Sequence, residues 1–481
     1  QTSVLIDYLE FKQKDLDRVK RYVSNGSLDV GPWFTQPDEF LVSGESLIRN
    51  LYYGIKIAKS FSKKGNFIGY LPDIFGHTAQ LPQILKKFGI NTFLFSRGYA
   101  DEAGIDEFIY EAPDGSKVVA RFIHNGYCNS GLLGVQKKFK DFIIMGKNPF
   151  DRLALLFSYY FSEPSFDLDL VIERIKNLEK EYEGRIKSDW ILIMNGCDHL
   201  PIQVKLIKNL DKVSEALKTE IIVGSPLIYF EELEKIDLPT YRGELRLPKY
   251  RPILSDVLST RIDLKILNFR SMKLLEKYLE PILTIGYILG FSYPHEIVNN
   301  LWMKLLLNHA HDSICGTSVD EVHRENVARF QEVIQTASSL IFHTLYEIGK
   351  KLVNGEGILV FNPNNWASTA PVKIICPKEF NDNITLVDKS GSKLFTSIKK
   401  KKFSTIAMSE ILFIPENLPP IGFKTFKISK ASKEAKSALK IDSYHIENEY
   451  FTVEIDGKTG LISITDKMTN MRYEGLSLIH I

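Results

Sequence analysis

The sequence predicts a chain of three successive parts: an α/β domain over residues 1–257, a helical bundle over 258–352 and an antiparallel β domain over 353–481. Three observations predict it. Short apolar strands alternate with helical patterns up to about residue 255, apolar residues then recur at three-and-four spacing, and from Gly357 the period drops to two. Length agrees, because a single core stops growing near roughly 250–300 residues and this chain has 481.

In the first part, residues 67–71 (FIGYL) form a short apolar run bounded by turn residues. A helix is expected from about 79 to 88, stopped by Gly89, and residues 92–95 (TFLF) read as a second buried strand. Residues 108–127 read as a hairpin around Pro113-Asp114-Gly115. Amphipathic helices are expected over 137–161 and 168–183, then a strand over 190–194 (WILIM) and a helix starting near Pro201. Such alternation argues for a parallel sheet or an α/β barrel. The second part reads as three helices near 259–290, 294–309 and 319–352, the last opened by a capping box of Ser318 and Glu321. The third part carries period-two runs at 358–361, 423–428 and 450–455, the last followed by Asp456-Gly457.

Composition narrows the function. Lys and Arg total 61 against 59 Asp and Glu, a net charge of +2, which excludes a charge-driven binder of nucleic acid or membrane surfaces. No run approaches the ~18 apolar residues of a membrane span. Four cysteines (Cys128, Cys197, Cys315, Cys376) are scattered without a CxxC spacing, which favours a reducing, cytoplasmic setting. The lysine run 399–402 and the Lys/Ser/Ala-rich stretch 430–440 read as solvated loops. The chain opens on Gln1 without a leader pattern and stops within what reads as a strand, so both ends are expected to be cuts in a longer protein.

The sharpest chemical feature is YLPDIFGH, residues 70–77, with Asp73 just past the carboxyl end of a buried strand. Asp198, in MNGCDH, holds the same position after another strand. Two carboxylates at one sheet edge suit glycoside hydrolysis, one attacking or activating water and the other protonating the leaving oxygen. An aspartate after a strand also serves as a helix N-cap, so each alone stays open between the two roles. Arg97 follows residues 92–95 to the same edge, where it can bind a hydroxyl or screen the carboxylates. In NHAHDSICGT, His309 and His311 are two apart and point about 200° apart on a helix, so only one can face a site. His77 and His199 each follow an aspartate and can orient it or touch substrate. Trp33, in GPWFTQPDEF, is a candidate for stacking on a sugar face or for core packing.

Five segments, GPWFTQPDEFLVSGESLIRN, GYLPDIFGHTAQLPQILKKFGI, FLFSRG, MNGCDH and NHAHDSICGTSVDEVHRE, resemble the glycoside hydrolase family 38 α-mannosidases and occur in that family's order. The resemblance is to the bacterial branch, which includes mannosylglycerate hydrolases. It implies a seven-stranded-type α/β barrel, a three-helix bundle and the start of a β-sandwich region. It further implies retaining hydrolysis of α-mannosidic bonds at one divalent metal, zinc in most members. The nucleophile, also a metal ligand, falls on Asp73, the acid/base on Asp198 and a metal-ligating histidine on His311. Arg97 and Asp312 fall on positions lining the sugar subsite, with His199 and Trp33 as further substrate contacts. The family's His-x-Asp motif, which supplies two more metal ligands, is absent from this sequence. The resemblance therefore predicts a weak metal site and a chain with little activity on its own. A mannosylglycerate or phosphomannosylglycerate hydrolase and a non-catalytic carbohydrate-binding remnant are the competing readings. The partner expected is an α-mannoside or mannosyl conjugate, and the sequence leaves monomer and homo-oligomer open.

Overall fold

The computed structural model describes residues 1–62, 65–100, 104–127, 129, 133, 166–196, 198, 203–353, 355–376, 378–380, 384–403, 406–430 and 439–477. They form two compact units, Gln1–His343 and Thr344–Ile481. No helix among the described residues is long and apolar enough to cross a membrane.

The first unit holds a five-stranded sheet of β1 (Gly69–Leu71), β2 (Thr92–Phe95), β3 (Glu107–Glu111), β4 (Lys117–Phe122) and β5 (Thr240–Arg242), in the order β1-β2-β4-β3-β5. β1, β2 and β4 run parallel, β3 and β5 run parallel, and β3 and β4 pair antiparallel as the expected hairpin. β2 is apolar at three of four positions and buried at all four, as a central strand covered on both faces requires. Phe93 and Phe95, two residues apart and so on one face, stack within a core that includes Trp33, Leu51, Leu71, Tyr99 and Phe108. The helix after β1 spans Leu81–Lys87, and the one expected over 168–183 spans Leu168–Tyr182. The helix expected over 137–161 lies outside the described residues.

The expected seven-stranded barrel is not what these residues build: among the described residues the sheet is open, with β1 and β5 at its edges. One cause lies at 190–194, expected as a strand. The segment carries no ladder pairing among the described residues. Instead the Asn129 side chain stands in for a neighbouring strand, its Nδ2 donating to the Leu192 carbonyl (3.1 Å) and its Oδ1 accepting from Met194 N–H (2.8 Å). Trp190, Leu192 and Met194 still pack against buried neighbours that include Leu94, Ile123 and Phe230, so the apolar pattern marked burial correctly but not pairing.

The helical region comprises Ile262–Lys273, a π-helical turn at Leu274–Leu279, Glu280–Ile288, His295–Asn308 and Asp320–Leu352. Leu264, Leu275, Leu283, Trp302, Leu305 and Phe330 share one core with Phe34, Tyr53 and Phe75, so the helices pack on the segments that carry the candidate site. Ser318 and Glu321 form no capping box here: Glu321 pairs with Arg324 (2.6 Å) and the Ser318 carbonyl faces His323 Nε2 (3.0 Å).

In the second unit all pairings among the described residues are antiparallel, in three sheets. Ile358, Val360, Leu386, Ile411, Phe413 and Phe426 form a core there. The lysine run 399–402, expected as a loop, lies in strand Thr396–Phe403, paired with Ile406–Phe413. The ladder outweighs the low strand propensity of lysine, and Lys400 finds Glu379 at 3.0 Å. Most of the stretch 430–440 lies outside the described residues.

Candidate active site

Because β1, β2 and β4 run parallel, their carboxyl ends open on one edge, where the following loops collect. Asp73 follows β1, Arg97 follows β2 and Tyr127 follows β4. Arg97 Nε donates to Asp73 Oδ1 at 2.6 Å, and Arg97 Nη2 reaches the same oxygen. Arg97 is itself fixed, with Nη1 donating to the Pro252 carbonyl (2.6 Å) and its guanidinium 5.4 Å over the Phe75 ring. The other oxygen, Asp73 Oδ2, lies 3.7 Å from His311 Nε2, an ion-pair distance and too long for a hydrogen bond. Burial disfavours the Asp73 anion, but His311 and Arg97 outweigh it and hold the carboxyl below its ordinary range. The same balance works on the imidazole: burial opposes its charge, while Asp73 and Asp312 raise its affinity for a proton.

The loop behind Asp73 is held from two sides. Glu39 and His77 are fully buried partners, with His77 Nδ1 2.6 Å from Glu39 Oε1, and the other Glu39 oxygen accepts from Thr78 N–H at 2.8 Å. The His77 backbone exchanges two hydrogen bonds of 2.9 Å with Leu245. Gly76 sits at φ +115°, and a Cβ there would come within 2.9 Å of the Leu245 carbonyl, so this corner accepts only glycine without rearrangement. His311 is delivered by pairing of two distant segments: its N–H donates to the Gln36 carbonyl (2.9 Å), Asp38 N–H donates to the His309 carbonyl (3.3 Å), and Thr35 Oγ1 donates to the Leu306 carbonyl (2.9 Å).

Asp198 is exposed and accepts a hydrogen bond of 2.6 Å from the Tyr127 hydroxyl. Two phenols lie close enough to both carboxylates to be shifted by them. Burial, then Asp198 and Asp73, push the Tyr70 hydroxyl up to about 12. Tyr127 is also raised, by burial, its bond to Asp198 and the charges of Asp73 and Asp198. Asp73, Arg97 and His311 come together, and Asp198 is held by Tyr127, which follows β4 to the same edge. Asp312 is close, with Oδ2 3.7 Å from His311 Nε2, but its Oδ1 accepts from Thr317 Oγ1 (2.6 Å) and helps close the turn after the short helix His311–Cys315.

Two expected substrate contacts change status. Trp33 is 1% exposed and belongs to the core beside Leu51 and Leu71, so its ring offers no face to a sugar. The aromatic there serves packing. His199 lies outside the described residues. His77 points away from substrate, into its bond with Glu39 and against the rings of Phe93 and Phe95. Tyr127 is the residue that sequence reasoning missed. Its signal was present, because it ends the hairpin on the strand parallel to β1 and β2.

A divalent ion would find Asp73 Oδ2 and His311 Nε2 facing each other, but no group of three or more metal-ligating side chains occurs among the described residues. Catalytic zinc takes three protein ligands and a water. The described residues do not fit a complete zinc site.

A model of the glycosyl hydrolases family 38 N-terminal domain matches residues 2–244, and one of the alpha mannosidase middle domain matches residues 253–348. The chain belongs to glycoside hydrolase family 38. Among family 38 relatives, a putative mannosylglycerate hydrolase of Halalkalibacterium halodurans is 32% identical over 73% of this chain, which spans 38% of that protein. Alpha-mannosidase G of Dictyostelium discoideum is 23% identical over 94% of the chain and 41% of its own length. The crystal structure of an alpha-mannosidase from Enterococcus faecalis superposes with a TM-score of 0.81 at 24% identity, covering 99% of this chain and 56% of that one, and so shares its fold. The chain thus spans roughly half or less of the length of these family 38 proteins.

Proposed function

We propose that this chain carries the reacting carboxylates of a retaining α-mannoside hydrolase. The observation that supports this most directly is Asp73, held as an anion by Arg97 at one oxygen, at the same sheet edge as Asp198 held by Tyr127. Asp73 Oδ2, the oxygen that Arg97 leaves free, attacks the anomeric carbon. Asp198 gives its proton to the glycosidic oxygen, and the aglycone leaves as an alcohol. Asp198 then takes a proton from water as that water attacks the same carbon, which releases mannose and restores the Asp73 carboxylate. Arg97 fixes which oxygen of Asp73 attacks, and Tyr127 fixes the proton-bearing oxygen of Asp198. A divalent ion at Asp73 and His311 belongs to this reading only with further ligands.

The test is to trap the intermediate. A slow fluorinated α-mannosyl fluoride should leave one mannosyl adduct, located by mass spectrometry on the peptide containing Asp73. An adduct elsewhere, or aryl α-mannoside turnover unchanged in Asp73→Asn, would overturn the assignment. The Halalkalibacterium relative favours a second, narrower reading, hydrolysis of a mannoside whose aglycone is an acid such as glycerate.

A further inference from the structure

Among the described residues the guanidinium of Arg251 has no carboxylate partner, although it stands beside the candidate site. Three other arginines of the first unit have one: Arg97 has Asp73, while Arg121 and Arg185 share the buried Asp106. Arg251 is half-buried, and its Nε is buried without any hydrogen-bond partner. Among the described residues its only bond runs from Nη1 to the Asn125 carbonyl, at 3.2 Å. Two tethers place it. The next residue, Pro252, accepts the hydrogen bond that fixes Arg97 on Asp73. On the other side the guanidinium packs against Gly126, where a Cβ would come within 1.9 Å of Nη1, and the residue after Gly126 is Tyr127, bonded to Asp198. Gly126 also adopts φ +86°, so its lack of a side chain leaves room for the arginine and permits the turn.

We infer that Arg251 is a specificity-determining residue that binds a carboxylate on the aglycone. The inference rests on the proposed mannoside reading. Gly126, against which Arg251 packs, leads into Tyr127 and so to Asp198, the group that protonates the departing oxygen, and the part of a substrate on that side is the leaving group. A half-buried, unpaired guanidinium has lost some of its hydration, and a planar carboxylate restores it through two parallel N–H···O bonds. A neutral aglycone offers nothing equivalent.

The experiment measures binding by calorimetry, without turnover. The probes are an S-linked α-mannosyl glycerate, in which sulfur replaces the glycosidic oxygen so that cleavage is blocked, and its primary amide. The parent chain should bind the carboxylate at least about tenfold tighter than the amide, the gain of a charge-assisted bidentate pair. In Arg251→Gln the ratio should fall to within about threefold, and in Arg251→Lys, which keeps the charge and stem but not the fork, it should lie between these limits. Equal affinity for the two probes in the parent overturns the inference, as does an unchanged ratio in Arg251→Gln. Should that variant fail to fold, an unchanged ratio in Arg251→Lys does the same. Amide binding without any carboxylate preference leaves the mannoside reading standing while the role of Arg251 fails. Binding of neither probe removes both.

Discussion

Replacing Glu39 by alanine should destabilise the first unit by about 3–5 kcal/mol, although Glu39 is not proposed to touch substrate. Its side chain is fully buried, and its two oxygens serve His77 Nδ1 at 2.6 Å and Thr78 N–H at 2.8 Å. Removal orphans both donors, at about 1–3 kcal/mol each for buried groups. The cost of breaking a buried pair from one side, about 3–5 kcal/mol, gives a similar figure. Glu39→Gln keeps an acceptor for Thr78 and should cost about half as much. Glu45→Ala is the control: it removes a half-exposed partner of Arg49, a pair of the kind worth about 0–1 kcal/mol. Urea unfolding followed by hydrogen exchange in peptides of the first unit measures all three. Exchange over residues 72–78 should accelerate most in Glu39→Ala, because that loop hangs from the lost bonds. A loss below about 1 kcal/mol, or one no larger than in Glu45→Ala, would refute the view that Glu39 anchors the Asp73 loop.

Tyr127→Phe should leave hydrolysis of mannosides with very acidic phenol leaving groups within about threefold while slowing alkyl mannosides about tenfold or more, since only poor leaving groups need the acid. A uniform loss across leaving groups would argue against its role in holding Asp198. Arg97→Lys should lower kcat/KM about tenfold or more, because one ammonium cannot bind Asp73, the Pro252 carbonyl and the Phe75 face together. Steady-state kinetics on one aryl mannoside decides that. Burial pushes His309 down to about 3 from its ordinary 6.5, so the unfolded chain takes up this proton first as pH falls. Stability should be full above pH 6.5 and fall by about 1.4 kcal/mol per unit within the window from 6.5 to 3, and urea melts of His309→Gln should lack that slope. Four-ligand zinc sites contribute about 10–16 kcal/mol. Two ligands supply about half, so competition titration of this chain should give a dissociation constant of roughly micromolar to sub-millimolar. Nanomolar binding would refute the two-ligand count.

The pattern of apolar residues was enough to find β1, β2, the β3–β4 hairpin and the helices from residue 262 to 352, because burial of one face is written into local periodicity. The same pattern misread residues 190–194. Apolar side chains determine that the segment is buried, whereas two of its backbone groups bond the amide of Asn129, more than 60 residues away, and not a described strand. Trp33 shows the limit from the other direction. An aromatic suits a sugar face or a core equally well, and only the packing of Leu51 and Leu71 around it decides for the core. The lysine run became a strand by pairing with the next strand, Ile406–Phe413, where the backbone ladder overrides the charge pattern.

For the site, the sequence by itself determined the chemical groups and the family: Asp73, Arg97, Asp198 and His311 stand in motifs whose order and spacing carry the resemblance. It also determined, through parallel strands β1 and β2, that Asp73 and Arg97 reach one edge. Tertiary structure alone decided which oxygen of Asp73 is occupied, that Tyr127 holds Asp198, that Glu39 and His77 form an anchor and that Arg251 has no anionic partner among the described residues. The physical reason is range. Strand and helix periodicity arise from neighbours a few residues apart, while hydrogen bonds and unpaired charges depend on atoms brought to within 2.6–3.7 Å from remote parts of the chain.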